Sequence, residues 1–251
     1  MLQLEAPVVQ REELRDACSR LTLAAPQLAA RAQPGHVLAI RPAGPALDPL
    51  VRIAIALAGA APGSGTVSLL LTSGRGEPAL HGARQVDVLG PIGKGWTLED
   101  WQRNLLLIGT DVEVGALLFL AGSAPGRNVA LLVGAAQESE PLPASLLAPS
   151  VEYQSGRGTD AAEAALDLLD DALLRWADVI FTTLPLEAYP SLARRIRATR
   201  LRWERGFAHG LLLPPMMCFT GICDTCLVPE ARTPWRACVD GPQADVRDFV
   251  R

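Results

Sequence analysis

The sequence predicts a β barrel followed by an α/β domain, with a small cysteine-rich module at its C-terminal end. Three observations carry this. The first ninety-five residues alternate β-like runs with Gly/Pro turns, the chain from Asn104 alternates compact apolar runs with helical patterns, and four of the five cysteines fall at or beyond Cys218. The expected boundaries are 1–100, 101–207 and 208–251. At 251 residues, 49% hydrophobic and 20% charged, the chain is long enough for two core-bearing domains and an appendage.

In the first part, strands are expected near 37–41, 51–57, 66–72 and 85–89, parted by Ala-Gly-Pro, Ala-Pro-Gly-Ser-Gly and Gly-Arg-Gly-Glu-Pro. Short strands with frequent turns make a small antiparallel barrel. Cys18 reads as a small buried side chain on an N-terminal helix. In the second part, 105–108 and 129–133 are apolar runs of the buried parallel-strand type, and 114–121 between them reads as a helix. Asp160 with Glu163 forms a helix-start signature ahead of the stripe Leu166, Leu169, Leu173 and Trp176. A strand at 179–183 and a helix at 186–202 follow, which makes this half doubly wound.

Composition excludes several classes. A net charge of -4 gives no basic field, so nucleic acid is not expected as a partner. The longest apolar stretch, 105–121, carries Asp111 and Glu113 and is not a membrane span. Glu5, Arg11, Glu12 and Glu13 stand where a secretory segment needs a clean apolar run, so the expected location is the cytoplasm. His36, His81 and His209 are too scattered to form a ligand group, and no Ser/His/Asp arrangement is present.

The cysteines are the most specific signal. Cys218, Cys223 and Cys226 read C-x4-C-x2-C, with Cys238 after eleven further residues. That loop-plus-return spacing is the one plant-type [2Fe-2S] clusters use, because each iron needs two thiolates. Gly221 inside the loop suits a backbone that turns sharply and points N–H groups at sulfur. Four cysteines also satisfy tetrahedral zinc. Zinc ribbons, however, use two short knuckles and a spacer, whereas this chain has one knuckle, one longer loop and a lone cysteine. Two disulfides would need an oxidising compartment that nothing in the sequence supports.

The tail segments 216–228 (Met-Met-Cys-Phe-Thr-Gly-Ile-Cys-Asp-Thr-Cys-Leu-Val) and 237–242 (Ala-Cys-Val-Asp-Gly-Pro) resemble the ferredoxin-NADP reductase superfamily, in its branch of class B dihydroorotate dehydrogenase electron-transfer subunits. Gln-Pro-Gly-His at 33–36, Gly-Pro-Ile-Gly-Lys-Gly-Trp at 90–96 and Leu-Leu-Phe-Leu-Ala at 117–121 extend the resemblance over nearly the whole chain. It implies a ferredoxin-reductase-like two-domain architecture in which the barrel binds FAD, the α/β domain receives NADH, and the cluster exchanges electrons with the FMN of a separate catalytic subunit.

The flavin and nicotinamide motifs depart from that pattern. Arg-Pro-Leu-Ser becomes Arg52-Ile53-Ala54-Ile55, so Arg52 is the one residue left to hold FAD. Gly-Thr-x-x-Leu becomes Gly76-Glu77-Pro78-Ala79-Leu80, where a glutamate satisfies the helix dipole and repels a phosphate. Gly-Gly-Gly-Ile-Gly-Val becomes 109–114, with Asp111 and Glu113 replacing glycines that let backbone approach a dinucleotide. Cys-Gly-x-Pro is replaced around Thr183, Leu184 and Pro185. The expectation is therefore a weakened or absent FAD and no direct NAD(P)H binding. The plainer alternative makes Asp111 and Glu113 solvated acids at a helix start and Arg52 a rim arginine without a ligand.

The functional expectation is an accessory electron-transfer subunit in a hetero-oligomer. It would pass single electrons through a [2Fe-2S] cluster to or from a flavin-containing, dihydroorotate-dehydrogenase-like catalytic subunit. The alternatives are a complete FAD-containing NAD(P)H reductase and a redox-sensing or scaffolding protein.

Overall fold

The computed structural model describes residues 1–15, 18–44, 50–140, 142–143 and 146–250. Pro45, the last residue of the expected Ala-Gly-Pro turn, lies outside them.

β1 (Leu2–Arg15) and β2 (Cys18–Ala24) pair antiparallel, with Arg15 opposite Cys18. Leu2, Leu4, Ala6 and Val8 turn to the barrel core on alternate positions, the period of a half-buried strand. Cys18 is buried at 1% exposure, as expected, but it sits on this strand and not on a helix. The polar run Glu12-Glu13 masks the alternation, and tertiary pairing rather than local propensity decides the state. A one-turn helix α1 (Pro26–Ala29) leads to β3 (Val37–Pro42), β4 (Ile53–Ala61) and β5 (Thr66–Thr72). After α2 (Glu77–Leu80), β6 (Gln85–Ile92) closes the barrel in the order β1-β2-β5-β4-β3-β6. Closure leaves no unpaired strand edge. Its interior is apolar, built on Leu21, Leu38, Ile40, Leu57, Leu69 and Val88.

The second sheet begins with β7 (Asn104–Thr110), followed by α3 (Gly115–Gly122), β8 (Asn128–Ala136) and β9 (Val151–Gly158). α3 is apolar on every side, and six of its eight residues are buried. It lies between the barrel and the sheet, and a Cβ on Gly115 would stand 3.3 Å from that of Ala58 in β4.

Asp160 caps α4 (Ala161–Asp167), its side chain accepting from the amides of Ala162 and Glu163. The expected stripe is then split. Asp170 accepts from Leu173 N and starts α5 (Asp171–Trp176), so Leu166 lies on one helix and Leu173 and Trp176 on the next. β10 (Val179–Thr182), a short 3-10 turn, α6 (Tyr189–Thr199) and β11 (Ala208–Leu211) complete the parallel part. The chain then leaves the sheet, forms a hairpin of β12 (Leu227–Val228) and β13 (Trp235–Arg236), and returns as β14 (Gln243–Asp245), antiparallel to β11. The sheet order is β14-β11-β10-β7-β8-β9.

α4 rests directly on β8. A Cβ on Gly134 would come within 1.8 Å of the Ala161 carbonyl oxygen and 2.5 Å of Ala165 N. Gly134→Ala is therefore expected to destabilise the fold by about 3 kcal/mol or more, because backbone rather than a flexible side chain must give way. A lowered urea midpoint at unchanged m-value would be the signature.

One apolar core joins all three regions, running from Ala54 and Leu70 of the barrel through Leu117 and Phe181 to Phe219, Cys226 and Cys238. No helix among the described residues is long and apolar enough to cross a membrane.

Candidate functional site

The excursion between β11 and β14 carries the four distal cysteines and brings two of them into contact. Cys226 precedes β12 and Cys238 follows β13, so the hairpin register places them at its open end, where Ala237 N donates to Cys226 O at 3.1 Å. Their sulfurs are 3.3 Å apart, and both residues are buried, at 2% and 8% exposure. Cys218 and Cys223 lie on the preceding loop, Cys218 half-buried and Cys223 exposed.

That loop is bent by three left-handed residues, Phe219 (φ 56°), Gly221 (φ 79°) and Asp224 (φ 53°). A left-handed phenylalanine is an uncommon, strained conformation, and burial of the ring at 4% exposure holds it there. Gly221 is obligatory, since a Cβ would press to 2.7 Å from Val239. The bends aim donors at sulfur. Thr220 N points at Cys218 Sγ (3.4 Å), and Thr225 Oγ1 donates to Cys223 Sγ (3.2 Å). Hydrogen bonds from Thr220, then from the Cys223 amide, lower the Cys218 thiol to about 5. Burial, then the nearby Cys226 sulfur, pushes Cys238 up to about 12, while the Gly221 amide pulls the other way. Among the described residues, no group of three or more His, Cys, Asp or Glu side chains is set to hold a metal ion. The thiol set has its closest contact in the Cys226/Cys238 pair.

A second feature is a cleft of about 610 Å³ between barrel, sheet and hairpin, lined by Arg75, Thr110, Glu113, Asp160, Thr183 and Glu187 among others. It lies at the C-terminal ends of β7 and β10, where the strand order reverses and open α/β sheets bind ligands. Thr183 Oγ1 is buried there without a hydrogen-bond partner, against Gly109. The acids of the 109–114 turn are each paired with an arginine rather than left to solvent alone. Asp111 is 5% exposed and bonded to Arg15 Nη2 at 2.7 Å, and Glu113 meets Arg75 Nε at 2.5 Å. Burial raises the Glu113 pKa, and Arg75 opposes the rise.

Arg52 stands apart from both features, just before β4, with Nη2 donating to Asp87 Oδ2 at 2.7 Å. Arg41 Nε shares the same oxygen at 3.0 Å. Burial works to raise the Asp87 pKa, but the two guanidinium hydrogen bonds outweigh it and hold the carboxyl below its usual range. Arg52 Nε is buried without a partner. Arg15, Arg41, Arg75 and Asp87 escaped the sequence reading because their partners lie 35 to 96 residues away, and no spacing rule reports such pairs.

A closed antiparallel barrel joined to a mostly parallel sheet is the ferredoxin-reductase-like fold. The NADH-dependent reduced ferredoxin-NADP oxidoreductase studied for flavin-based electron bifurcation superposes with a TM-score of 0.76 at 21% identity, covering 97% of this chain and 88% of that one. The ferredoxin reductase of carbazole 1,9a-dioxygenase gives 0.67 at 17% identity, covering 83% and 68%. Ferredoxin-NADP+ reductase from Plasmodium falciparum gives 0.61 at 10% identity, covering 79% and 92%. In sequence, the chain is 28% identical over 259 residues to the electron transfer subunit of dihydroorotate dehydrogenase B (NAD(+)) from Shouchella clausii (strain KSM-K16), covering 97% of this chain and 96% of the relative. The resemblance carried by the tail and its flanking motifs is thus borne out along the length of the chain. No family model matches it.

Proposed function

We propose that this chain is the electron-transfer subunit of an oxidoreductase complex, holding a [2Fe-2S] cluster on Cys218, Cys223, Cys226 and Cys238 and exchanging electrons with a flavin in a dihydroorotate-dehydrogenase-like catalytic subunit. The observation that carries this reading is the bent cysteine loop. Four thiols lie on one loop and hairpin, two of them buried in contact, and a backbone amide points at sulfur. That is the donor chemistry of an iron-sulfur site. The near full-length likeness to an electron transfer subunit supports the same conclusion.

When bound, the cluster would take up and release one electron at a time. The protein supplies its setting. Cys226 and Cys238 anchor its inner side in the shared core, and the Thr220 and Gly221 amides stabilise charge on sulfur. Cys223 leaves the outer side at the surface. Met217, Ile222 and Val239, on the same loop and just beyond the hairpin, are exposed at 54%, 84% and 53%. Apolar groups grouped on a surface mark a docking face. Here it would bring the partner's flavin close to the cysteine loop.

The test is reconstitution with a class B dihydroorotate dehydrogenase catalytic subunit, following anaerobic bleaching of the visible cluster bands by the reduced flavin. Ile222→Glu is expected to retain full iron and sulfide yet weaken association by about tenfold, the cost of spoiling one central apolar contact. Wild-type protein with an intact cluster that exchanges no electrons with any such subunit would refute the proposal.

A further inference from the structure

We infer that the cofactor-phosphate positions implied by the resemblance are taken by the chain's own carboxylates, Glu77, Asp111 and Glu113, each paired with an arginine of the barrel side, so that this subunit carries neither FAD nor a nicotinamide dinucleotide. The inference rests on the electron-transfer reading above and narrows it: the cysteine cluster is the chain's own redox group.

Two places give the same result. At α2, the helix is a single turn, and Pro78 removes one of the few N–H groups a phosphate would use. Glu77, only 8% exposed, fills the position itself. It accepts from Ser19 Oγ at 2.6 Å, contacts His81 Nδ1 at 3.1 Å and lies 3.6 Å from Arg11. A diphosphate arriving there would meet a buried carboxylate whose cation is already engaged.

At the turn after β7, the backbone is spent as well as the side chains. Asp111 N donates to Gly134 O and Glu113 N to Thr110 O, at 2.9 and 3.2 Å. The start of α3, which would otherwise face a dinucleotide, is pressed against the barrel at Ala58 and Leu70. Asp111 and Glu113 reach in opposite directions, to Arg15 beside β2 and to Arg75 beyond β5, so the turn is clamped to the barrel on two sides. Arg75 also donates to the Ala54 and Leu213 carbonyls, both at 3.4 Å. The guanidinium groups therefore have carboxylates and carbonyls where a cofactor would offer phosphate oxygens.

Arg52 has capacity left, whereas Arg15, whose Nε is also unpartnered, is already paired with Asp111. Arg52 shares Asp87 with Arg41, which leaves one positive charge in excess, and its Nε is unpartnered. A flavin diphosphate that bound at all would attach there, with no helix amides behind it.

The experiment uses full-length protein purified anaerobically with its cluster. Acid-released flavin is measured beside iron and sulfide, and the same protein is titrated with FAD by fluorescence and mixed with NADH or NADPH. The expected result is iron and sulfide without flavin, no saturable FAD binding up to about 100 µM, and no bleaching of the cluster bands by either nucleotide. One FAD per chain, FAD binding tighter than about 10 µM, or rapid bleaching by a nucleotide would overturn the inference while leaving the cluster in place. Absence of iron together with absence of flavin would instead strike the electron-transfer reading and leave the carboxylate substitution standing.

Discussion

Cys226→Ser protein is expected to be folded and colourless. Wild-type protein prepared without oxygen should hold about two iron and two acid-labile sulfide per chain, and the variant should hold background levels of both. A serine oxygen is a poor substitute for a thiolate at iron. It would also be placed at 2% exposure, 3.3 Å from Cys238, where no solvent offsets the lost ligand. The larger domains should survive, because the barrel interior and the sheet's outer core contain none of the four cysteines. Far-ultraviolet circular dichroism should therefore change little while the visible bands vanish. Cys18→Ser is the control. It buries a hydroxyl on β2 at a cost of about 1–3 kcal/mol but leaves the visible spectrum as it was. Iron retained in the Cys226 variant and lost in the Cys18 variant would reverse the ligand assignment. Stoichiometric zinc in place of iron in the wild type would end it.

Arg75→Ala is expected to destabilise the fold by about 3 kcal/mol, the low end for a broken buried pair. The low end applies because the Arg75 and Glu113 side chains keep 25% and 16% of their surface exposed. The loss should depend on pH in a definite direction. Burial already raises the Glu113 pKa and Arg75 restrains it, so removing the arginine lets it rise further. A carboxyl whose folded pKa exceeds its unfolded value favours the fold in its protonated form. The variant's deficit should therefore be smallest in acid and grow as pH rises through the folded Glu113 pKa. Urea denaturation from pH 4 to 8 reads this directly, and adding Glu113→Gln should recover part of the deficit at neutral pH. A deficit independent of pH would show that Arg75 acts through its carbonyl contacts alone.

The elements that were legible in the sequence are those whose signal is local. The strands at 37–41 and 66–72, the apolar runs of β7 and β8 and the Asp160 cap depend on residues next to one another, and they stand where expected. β1 and β2 were not legible, because a strand with Glu12 and Glu13 in it is a strand only by virtue of its neighbours β6 and β5. β9, β11 and β14 were missed for the same reason, each being short or half-polar. In the site, the cysteine spacing was readable because ligand chemistry imposes it. The environment of Asp111 and Glu113 was not. Their sequence announces two charges, and only the fold reveals that Arg15 and Arg75 pair with them from the barrel side.

The way the tail is tied to the sheet has a consequence for how current could flow. Residues 212–242 depart from β11 and come back beside it as β14, in the register Leu211 opposite Gln243. Both ends of the excursion are thus fastened to adjacent strands, and its middle is sunk into the core through Phe219 and Cys226. A redox centre mounted this way has no arm to swing. A cluster held there would not shuttle between a donor and an acceptor several nanometres apart, and would work as a fixed terminal to which partners bring their own carriers. The transfer distance is then set once, by the fit of the docked surfaces, and any change in rate between partners would measure that fit rather than the reach of a tether.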